Sequence, residues 1–134
     1  MKTAKVEYLG LLRTRAIHLR SGAEFFTDAP LDNHGKGEAF SPTDLASTSL
    51  ASCMLTVMGL AAQTHSIKID GAYADVLKVM KENPRRISQI EIDIYMPKFE
   101  YTSKEKSILE HTANTCPVSK SLHPDLEVIL RFHW

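Results

Sequence analysis

The chain has 134 residues, of which 43% are hydrophobic and 24% charged, and its sixteen basic and sixteen acidic residues balance to a net charge of zero. The length suits one domain over residues 1–134, with a single core and the composition of an ordinary globular protein. The even charge balance gives no reason to expect nucleic acid or a membrane surface as a partner.

The N-terminal part of the chain predicts three strands and a loop. Alternating residues at 5–8 and 13–20 flank Gly10 and indicate a hairpin, and a short third strand, A-E-F-F-T-D, follows the next turn. Residues 31–40 are polar, contain two glycines and have no periodicity, which is typical of a loop. The first residues lack the apolar block of an export signal, so we expect a cytoplasmic protein with reduced cysteines.

The stretch from Ser41 to His65 predicts one long helix. Ser41 is a suitable N-cap, Pro42 fits the first helical position, and Asp44 can complete a capping box. Residues 45–62 carry no charge, and apolar side chains occur on every side, so the helix should be buried all round. Five hydroxyl side chains dilute this surface and no basic cluster flanks it, which favours a core helix over a membrane span.

The C-terminal half predicts two strands, a helix, a short helical turn and a last strand. Segments 72–82 and 87–96 alternate around an Asn-Pro turn and indicate a hairpin, with one break near Gln89. A second capping box at Thr102 opens the helix, and Pro117 ends it.

This order of elements predicts an α+β protein with mainly antiparallel sheets around the long central helix. One small sheet cannot cover a helix that is apolar on all faces. We therefore expect a homodimer in which the central helices of two copies pack together.

The chain has two cysteines, Cys53 in the middle of the predicted helix and Cys116 before Pro117. A pair without a disulfide scaffold is typical of catalytic or redox-responsive chemistry, although a buried cysteine can also serve only as a small apolar residue. Cys53 lies beyond the reach of the helix dipole, so a reactive thiolate there would need a nearby cation such as an arginine. The C-P step at a helix end predicts an exposed Cys116 sulfur.

The residues around both cysteines resemble the family of osmotically inducible protein C and the organic hydroperoxide resistance proteins. S-P-T-D-L and A-S-C-M are similar to its reactive-cysteine stretch, and T-C-P-V-S-K-S-L is similar to its resolving-cysteine motif. The separation of 63 positions between Cys53 and Cys116 matches as well. The resemblance implies an OsmC-like fold and an intertwined homodimer.

The resemblance also implies a thiol peroxidase of the stress response that reduces organic hydroperoxides without a cofactor. Cys53 would become a sulfenic acid, Cys116 would condense with it to a disulfide, and an external dithiol would reduce the disulfide. In the family, an arginine of the N-terminal hairpin steadies the thiolate. Arg13 is the best match, and Arg15, on the same face of the strand, is the alternative.

The chain departs from the family directly after the helix proline, where the well-described peroxidases carry a glutamate paired with the arginine. This position is Thr43 here. The neighbouring Asp44 is nine helical residues from Cys53, about 180° round the axis, so it should point away and act as a cap. Glu38, in the preceding loop, is a freer candidate to hold the arginine.

A second interpretation is a non-catalytic dimer that binds small apolar molecules or senses oxidants through the same cysteines. Met54 and Met58 are most simply core residues, but they could line an apolar pocket for an alkyl or lipid hydroperoxide tail. The six histidines show no metal-ligand spacing with one another or with the cysteines, so no metal site is expected.

Overall fold

The computed structural model describes all 134 residues, Met1–Trp134, which form two compact units, Met1–Ala46 and Ser47–Trp134. The N-terminal unit contains the strands β1 (Ala4–Gly10), β2 (Arg13–His18) and β3 (Glu24–Asp28), a 3₁₀ turn (Leu31–Asn33) and the beginning of the helix α1 (Pro42–His65). The C-terminal unit contains the rest of α1, then β4 (Tyr73–Lys81), β5 (Arg86–Tyr95), α2 (Ser103–Asn114), α3 (Pro117–Ser121) and β6 (Glu127–His133). This order confirms the predicted α+β class.

The N-terminal unit is built on an antiparallel sheet in the order β1-β2-β3. β1 and β2 meet in a two-residue turn in which Leu11 and Leu12 both have positive φ, 55° and 62°, a geometry that matches the twist of paired strands. The β2–β3 pairing places Arg13 directly opposite Asp28. Ala16 is the only buried hydrophobic residue of this unit, so most of its apolar side chains are exposed in the single chain.

The loop after β3 folds back on the strand that it leaves. The carbonyl oxygen of Ala29 accepts a hydrogen bond from the Gly37 N–H group at 3.2 Å, and that of Pro30 accepts one from the Gly35 N–H group at 2.9 Å. Gly35 passes so close to Ala29 that a Cβ at position 35 would lie 1.6 Å from the Ala29 oxygen. The loop, which its composition suggests is mobile, is thus tied to the end of β3 by its own backbone.

The helix α1 begins as predicted. The Ser41 hydroxyl accepts a hydrogen bond from the Asp44 N–H group at 3.1 Å, and the Asp44 carboxylate accepts one from the Ser41 N–H group at 2.9 Å. The buried residues form one stripe along the helix: Ser47, Leu50, Ala51, Met54, Met58 and Ala62. Other apolar residues of α1, such as Leu60, are partly or largely exposed in the single chain.

By length and composition, α1 could cross a bilayer, a test that the core helices of soluble proteins also pass.

The second sheet has the order β4-β5-β6, with β4 antiparallel and β6 parallel to the central strand. A parallel pair requires a crossover connection, which α2 and α3 provide. The break in alternation near Gln89 is a bulge. The register passes from Val79–Gln89 to Met80–Ile87 and leaves Ser88 without an opposite residue. The Ser88 hydroxyl donates a hydrogen bond to the Val79 carbonyl at 3.1 Å, which holds the bulge.

The hydrophobic core lies in the C-terminal unit. It combines the buried stripe of α1 with the inward side chains of β5 and one face of α2, and its strand and α2 members include Ile90, Ile92, Ile94, Leu109 and Ala113. The capping box of α2 forms as predicted, because the Thr102 hydroxyl accepts the Glu105 N–H group and the Glu105 carboxylate accepts the Thr102 N–H group. The cysteine helix and the crossover are therefore held on one core.

We expect Ile92→Ala to lower the free energy of unfolding by about 2–5 kcal/mol, because truncation of a large core side chain leaves a cavity. Ile92 is 0% exposed, whereas Leu77 on the neighbouring strand is 56% exposed and provides the control. Leu77→Ala should change stability by no more than about 0.5 kcal/mol. Urea denaturation at one fixed protein concentration measures both variants. Equal losses would contradict this placement of the core.

Candidate functional site

The C-terminal unit brings the two cysteines together. Cys53 lies about three turns into α1 and is half-buried, and Cys116 precedes α3 and is fully buried. Both are free thiols, and the Cys53 thiol lies close enough to Cys116 to contribute to the raised pKa of the Cys116 thiol. Cys116 belongs to the hydrophobic core and Cys53 packs against it. Two neighbouring thiols, one of them accessible, can be oxidised to a disulfide when a peroxide accepts the two electrons.

Cys116 is positioned by the short helix α3. Its extended backbone (φ −67°, ψ 150°) leaves α2, and Pro117 takes the first helical position of α3. The Cys116 sulfur is the N-cap of this helix and accepts the Ser119 N–H group at 3.4 Å. The prediction that the C-P step exposes the sulfur is wrong, because the cap bond and the surrounding core residues enclose it.

Burial raises the pKa of the Cys116 thiol above its ordinary value, and the nearby Cys53 thiol adds to this effect. The Ser119 N–H group acts in the opposite direction but is outweighed. At neutral pH, Cys116 is therefore a protonated thiol. Such a sulfur stays unreactive toward the surrounding solution and reacts chiefly with a group that is already in contact with it.

This raised pKa predicts that disulfide formation between Cys53 and Cys116 accelerates with pH. Only a thiolate attacks sulfur, and Cys116 ionises above the ordinary thiol value of about 8.5, so the rate should rise about tenfold per unit between about pH 6 and 8. Saturating cumene hydroperoxide makes the first oxidation step fast, and acid quenching followed by mass spectrometry counts the disulfide. A flat profile would contradict the protonated state of Cys116.

The N-terminal unit places Arg13 in a network of carboxylates. Arg13 donates two hydrogen bonds to Asp28, from Nε to Oδ1 at 2.8 Å and from Nη2 to Oδ2 at 3.0 Å. The same Nη2 donates to Glu38 Oε2 at 3.1 Å. The bond from Arg13 holds the pKa of Asp28 below its ordinary value, and Asp28 in turn raises that of Arg13. Arg13 Nη1 makes no hydrogen bond within the chain, so it can still donate to a ligand.

Arg15, the alternative arginine, has a different environment. Its Nε and Nη2 donate to Glu24 at 3.1 and 2.7 Å, and its Nη1 lies 3.7 Å from Glu7. Both carboxylates are partly exposed, and Arg15 Nη1 forms an ion pair with Glu7 but no hydrogen bond. The two arginines differ in their carboxylates: Arg13 is held by the buried Asp28, whereas Arg15 is held only by partly exposed ones.

The acid next to the helix proline, Asp44, is engaged as the cap of α1, as predicted. Thr43, at the family's glutamate position, has its hydroxyl 3.2 Å from that of Ser41. Glu38 holds Arg13, as expected for the freer carboxylate. Asp28 was not among the predicted site residues. The signal that identifies it is the register of the β2–β3 hairpin, which sets it opposite Arg13.

No group of three or more His, Cys, Asp or Glu side chains could hold a metal ion. A shallow depression of about 430 Å³ lies between α1 and β4. It is lined by small and apolar side chains together with hydroxyl groups: Thr48, Ala51, Ser52, Leu55, Thr56, Ala74 and Val76. Its lining suits an apolar group or another protein surface more than an ion.

Comparison with known proteins shows the family of the chain and a solved structure of high similarity. A family model described as OsmC-like protein matches residues 35–131. A crystal structure from Psychrobacter arcticus 273-4, of a protein described as an osmotic stress induced and detoxification response protein, is 54% identical, with a TM-score of 0.95 over 99% of this chain and 96% of that chain.

More distant solved structures share the fold. The organic hydroperoxide resistance protein OsmC of Legionella pneumophila has 16% identity and a TM-score of 0.74, covering 100% of this chain and 98% of that chain. OhrB of Bacillus subtilis, also an organic hydroperoxide resistance protein, has 19% identity and a TM-score of 0.72, covering 98% of each chain. At these identities the similarity shows the fold alone. No curated protein matches the chain significantly.

Proposed function

Because this chain belongs to the family of OsmC-like proteins, we propose that it is a thiol-dependent peroxidase that reduces organic hydroperoxides through Cys53 and Cys116. The observation that carries the proposal is the proximity of two free thiols on one core, one half-buried and one fully buried. Two neighbours of the same fold are organic hydroperoxide resistance proteins, which supports a peroxide-related redox function. We place this activity in the cytoplasm, where thiols stay reduced.

The proposed reaction uses the two sulfurs in sequence. The Cys53 thiolate attacks one peroxide oxygen, the O–O bond breaks, and the alkoxide leaves as an alcohol after it takes a proton. Cys53 is then a sulfenic acid. The Cys116 sulfur attacks the Cys53 sulfur, an S–S bond forms, and the hydroxyl leaves as water. An external dithiol reduces this disulfide by exchange and is itself oxidised to a disulfide.

Arg13 is the cation that we assign to this reaction. A guanidinium stabilises a thiolate and the negative charge that develops on the departing oxygen. Its Nη1 makes no hydrogen bond within the chain, and the buried Asp28 holds the rest of its guanidinium, whereas the partners of Arg15 are partly exposed. The assignment therefore rests on the family resemblance and on the buried carboxylate that holds Arg13.

Steady-state turnover tests the proposed function. We expect the reduced protein to consume cumene hydroperoxide catalytically with dithiothreitol as the reductant, and to form one molecule of alcohol for each dithiol oxidised. Hydrogen peroxide, which has no apolar group, provides the comparison substrate. Stoichiometric oxidation of Cys53 without turnover would overturn the peroxidase. It would support the second function, an oxidant sensor or a binder of small apolar molecules.

We further propose that the protein is a homodimer. The N-terminal sheet exposes large apolar side chains, among them Val6, Tyr8, Leu11, Phe25 and Phe26, and one side of α1 is uncovered. Surfaces of this kind mark interfaces between subunits.

Sedimentation equilibrium should therefore give about 30 kDa, twice the 15.0 kDa of one chain, because two copies bury these surfaces. The measurement should be made at micromolar concentration on the reduced protein. A species of one chain mass at that concentration would contradict the dimer.

A further inference from the structure

One buried carboxylate, Asp28, organises the surroundings of Arg13. Its Oδ1 accepts Arg13 Nε, and its Oδ2 accepts both Arg13 Nη2 and the backbone N–H group of Glu38, the latter at 3.2 Å. Asp28 thus binds the guanidinium and the loop that carries the second carboxylate. Arg13 and Glu38 are therefore held together by Asp28 as well as by their own hydrogen bond.

The loop between β3 and α1 is shaped to present Glu38 to this pair. Backbone hydrogen bonds join Asp28 N–H to the Phe40 carbonyl at 3.1 Å and Gly37 N–H to the Ala29 carbonyl at 3.2 Å. Gly37 has a φ of 61°, a conformation that favours glycine, and Gly35 occupies a place that no Cβ could share. Glu38 therefore reaches Arg13 from a loop whose backbone is hydrogen-bonded to the end of β3.

The two carboxylates differ in their freedom to leave Arg13. The Asp28 side chain is 1% exposed, and a buried charge without its partner is unfavourable, so the Asp28–Arg13 pair should persist throughout a reaction. The Glu38 side chain is 63% exposed, and an exposed ion pair contributes little, so this pair can open and close. Nη2 is shared by both carboxylates, and Nη1 by neither.

We propose that Asp28 is the positioning residue of the peroxidase reaction. It fixes the plane of the Arg13 guanidinium and leaves Nη1 without a hydrogen bond within the chain, and it holds the loop so that Glu38 can act as an exchangeable partner. The effect on rate rests on the proposed function, whereas the ordering of Arg13 does not. Asp28 is the fixed carboxylate partner of Arg13, and Glu38 is the partner that can be released.

The first test observes Arg13 directly and needs no activity. In the reduced wild type, the NMR signal of Arg13 Nε–H should be sharp and protected from solvent exchange, because Asp28 accepts it. Asp28→Asn should lose that protection, and Glu38→Gln should retain it. Glu24→Gln, on the same hairpin and paired with Arg15, provides the matched control and should change neither signal nor rate.

The second test is kinetic. Asp28→Asn should lower kcat for cumene hydroperoxide by about 10²-fold with KM within about twofold, because misplacement of a catalytic group affects the reaction more than binding. Glu38→Gln and Gly35→Ala should lower kcat by a similar, smaller factor, because the first removes the releasable carboxylate and the second displaces its loop. Circular dichroism confirms the fold of each variant.

The outcomes separate the two proposals. A protected Arg13 Nε–H signal and an unchanged kcat in Asp28→Asn would overturn the positioning role. If the wild type shows no turnover, the proposed function fails, and the NMR signal alone decides whether Asp28 orders Arg13. If Asp28→Asn does not fold, equal losses of kcat in Glu38→Gln and Gly35→Ala support the inference, and unchanged rates in both overturn it.

Discussion

Replacing Cys53 by serine should abolish hydroperoxide turnover, with a loss in kcat/KM of at least about 10⁴-fold, the scale seen when a covalent nucleophile is removed. A serine hydroxyl stays protonated at neutral pH and is a poor nucleophile, whereas a cysteine is partly ionised and strongly nucleophilic. The substitution is nearly isosteric, so the packing around α1 should be preserved. Coupled assays with cumene hydroperoxide and dithiothreitol measure the loss.

Cys116→Ser is the matched control for this experiment. Serine is a strong N-cap, so it can replace the sulfur that accepts the Ser119 N–H group and preserve α3. This variant should still reduce one equivalent of hydroperoxide and accumulate a sulfenic acid at Cys53, which a sulfenic-acid probe detects. Turnover that survives in Cys53→Ser would contradict the assignment of the nucleophile.

Replacing Arg13 by methionine should lower the rate of Cys53 oxidation by about 10²–10³-fold, the cost of removing one donor that stabilises developing negative charge. The same replacement at Arg15 should change the rate by less than about threefold, because its partners are partly exposed carboxylates on the hairpin. Single-turnover oxidation of the reduced protein measures both rates.

The Arg13 variant leaves Asp28 without the partner that lowers its pKa, so circular dichroism must first confirm that the hairpin is folded. A larger loss of rate in the Arg15 variant than in the Arg13 variant would show that Arg15, and not Arg13, stabilises the reacting groups. Equal and small effects would remove both arginines from the mechanism.

Local rules of sequence predicted the elements of the fold well. The two capping boxes, at Ser41 and Thr102, form with the predicted bonds, because each depends only on residues three apart. The bulge at Ser88 accounts for the break in alternation near Gln89, because strand periodicity admits one extra residue only as a bulge. These features need no knowledge of distant contacts.

Features that depend on distant residues were harder to predict. The burial of Cys116 follows from the crossover that returns the chain to β5, and no local pattern indicates it. Asp28 could have been found, because residue numbers paired across the β2–β3 hairpin sum to 41, from 17 with 24 to 13 with 28. The turn sets this register, and extending it along the strands identifies the partner of Arg13.

The exposed N-terminal sheet has a consequence for biosynthesis. β1 and β3 are both open edges, and the sheet buries almost none of its own apolar residues. The N-terminal unit is synthesised before the C-terminal unit. The 88 residues from Ser47 to Trp134 take about 4 to 18 seconds more at ordinary rates of synthesis. During that interval, neighbouring nascent chains on one mRNA expose the same unpaired edge strands and apolar side chains to each other. Weaker translation initiation, which spaces the nascent chains further apart, should therefore favour recovery of folded protein over aggregates that begin in the first thirty residues.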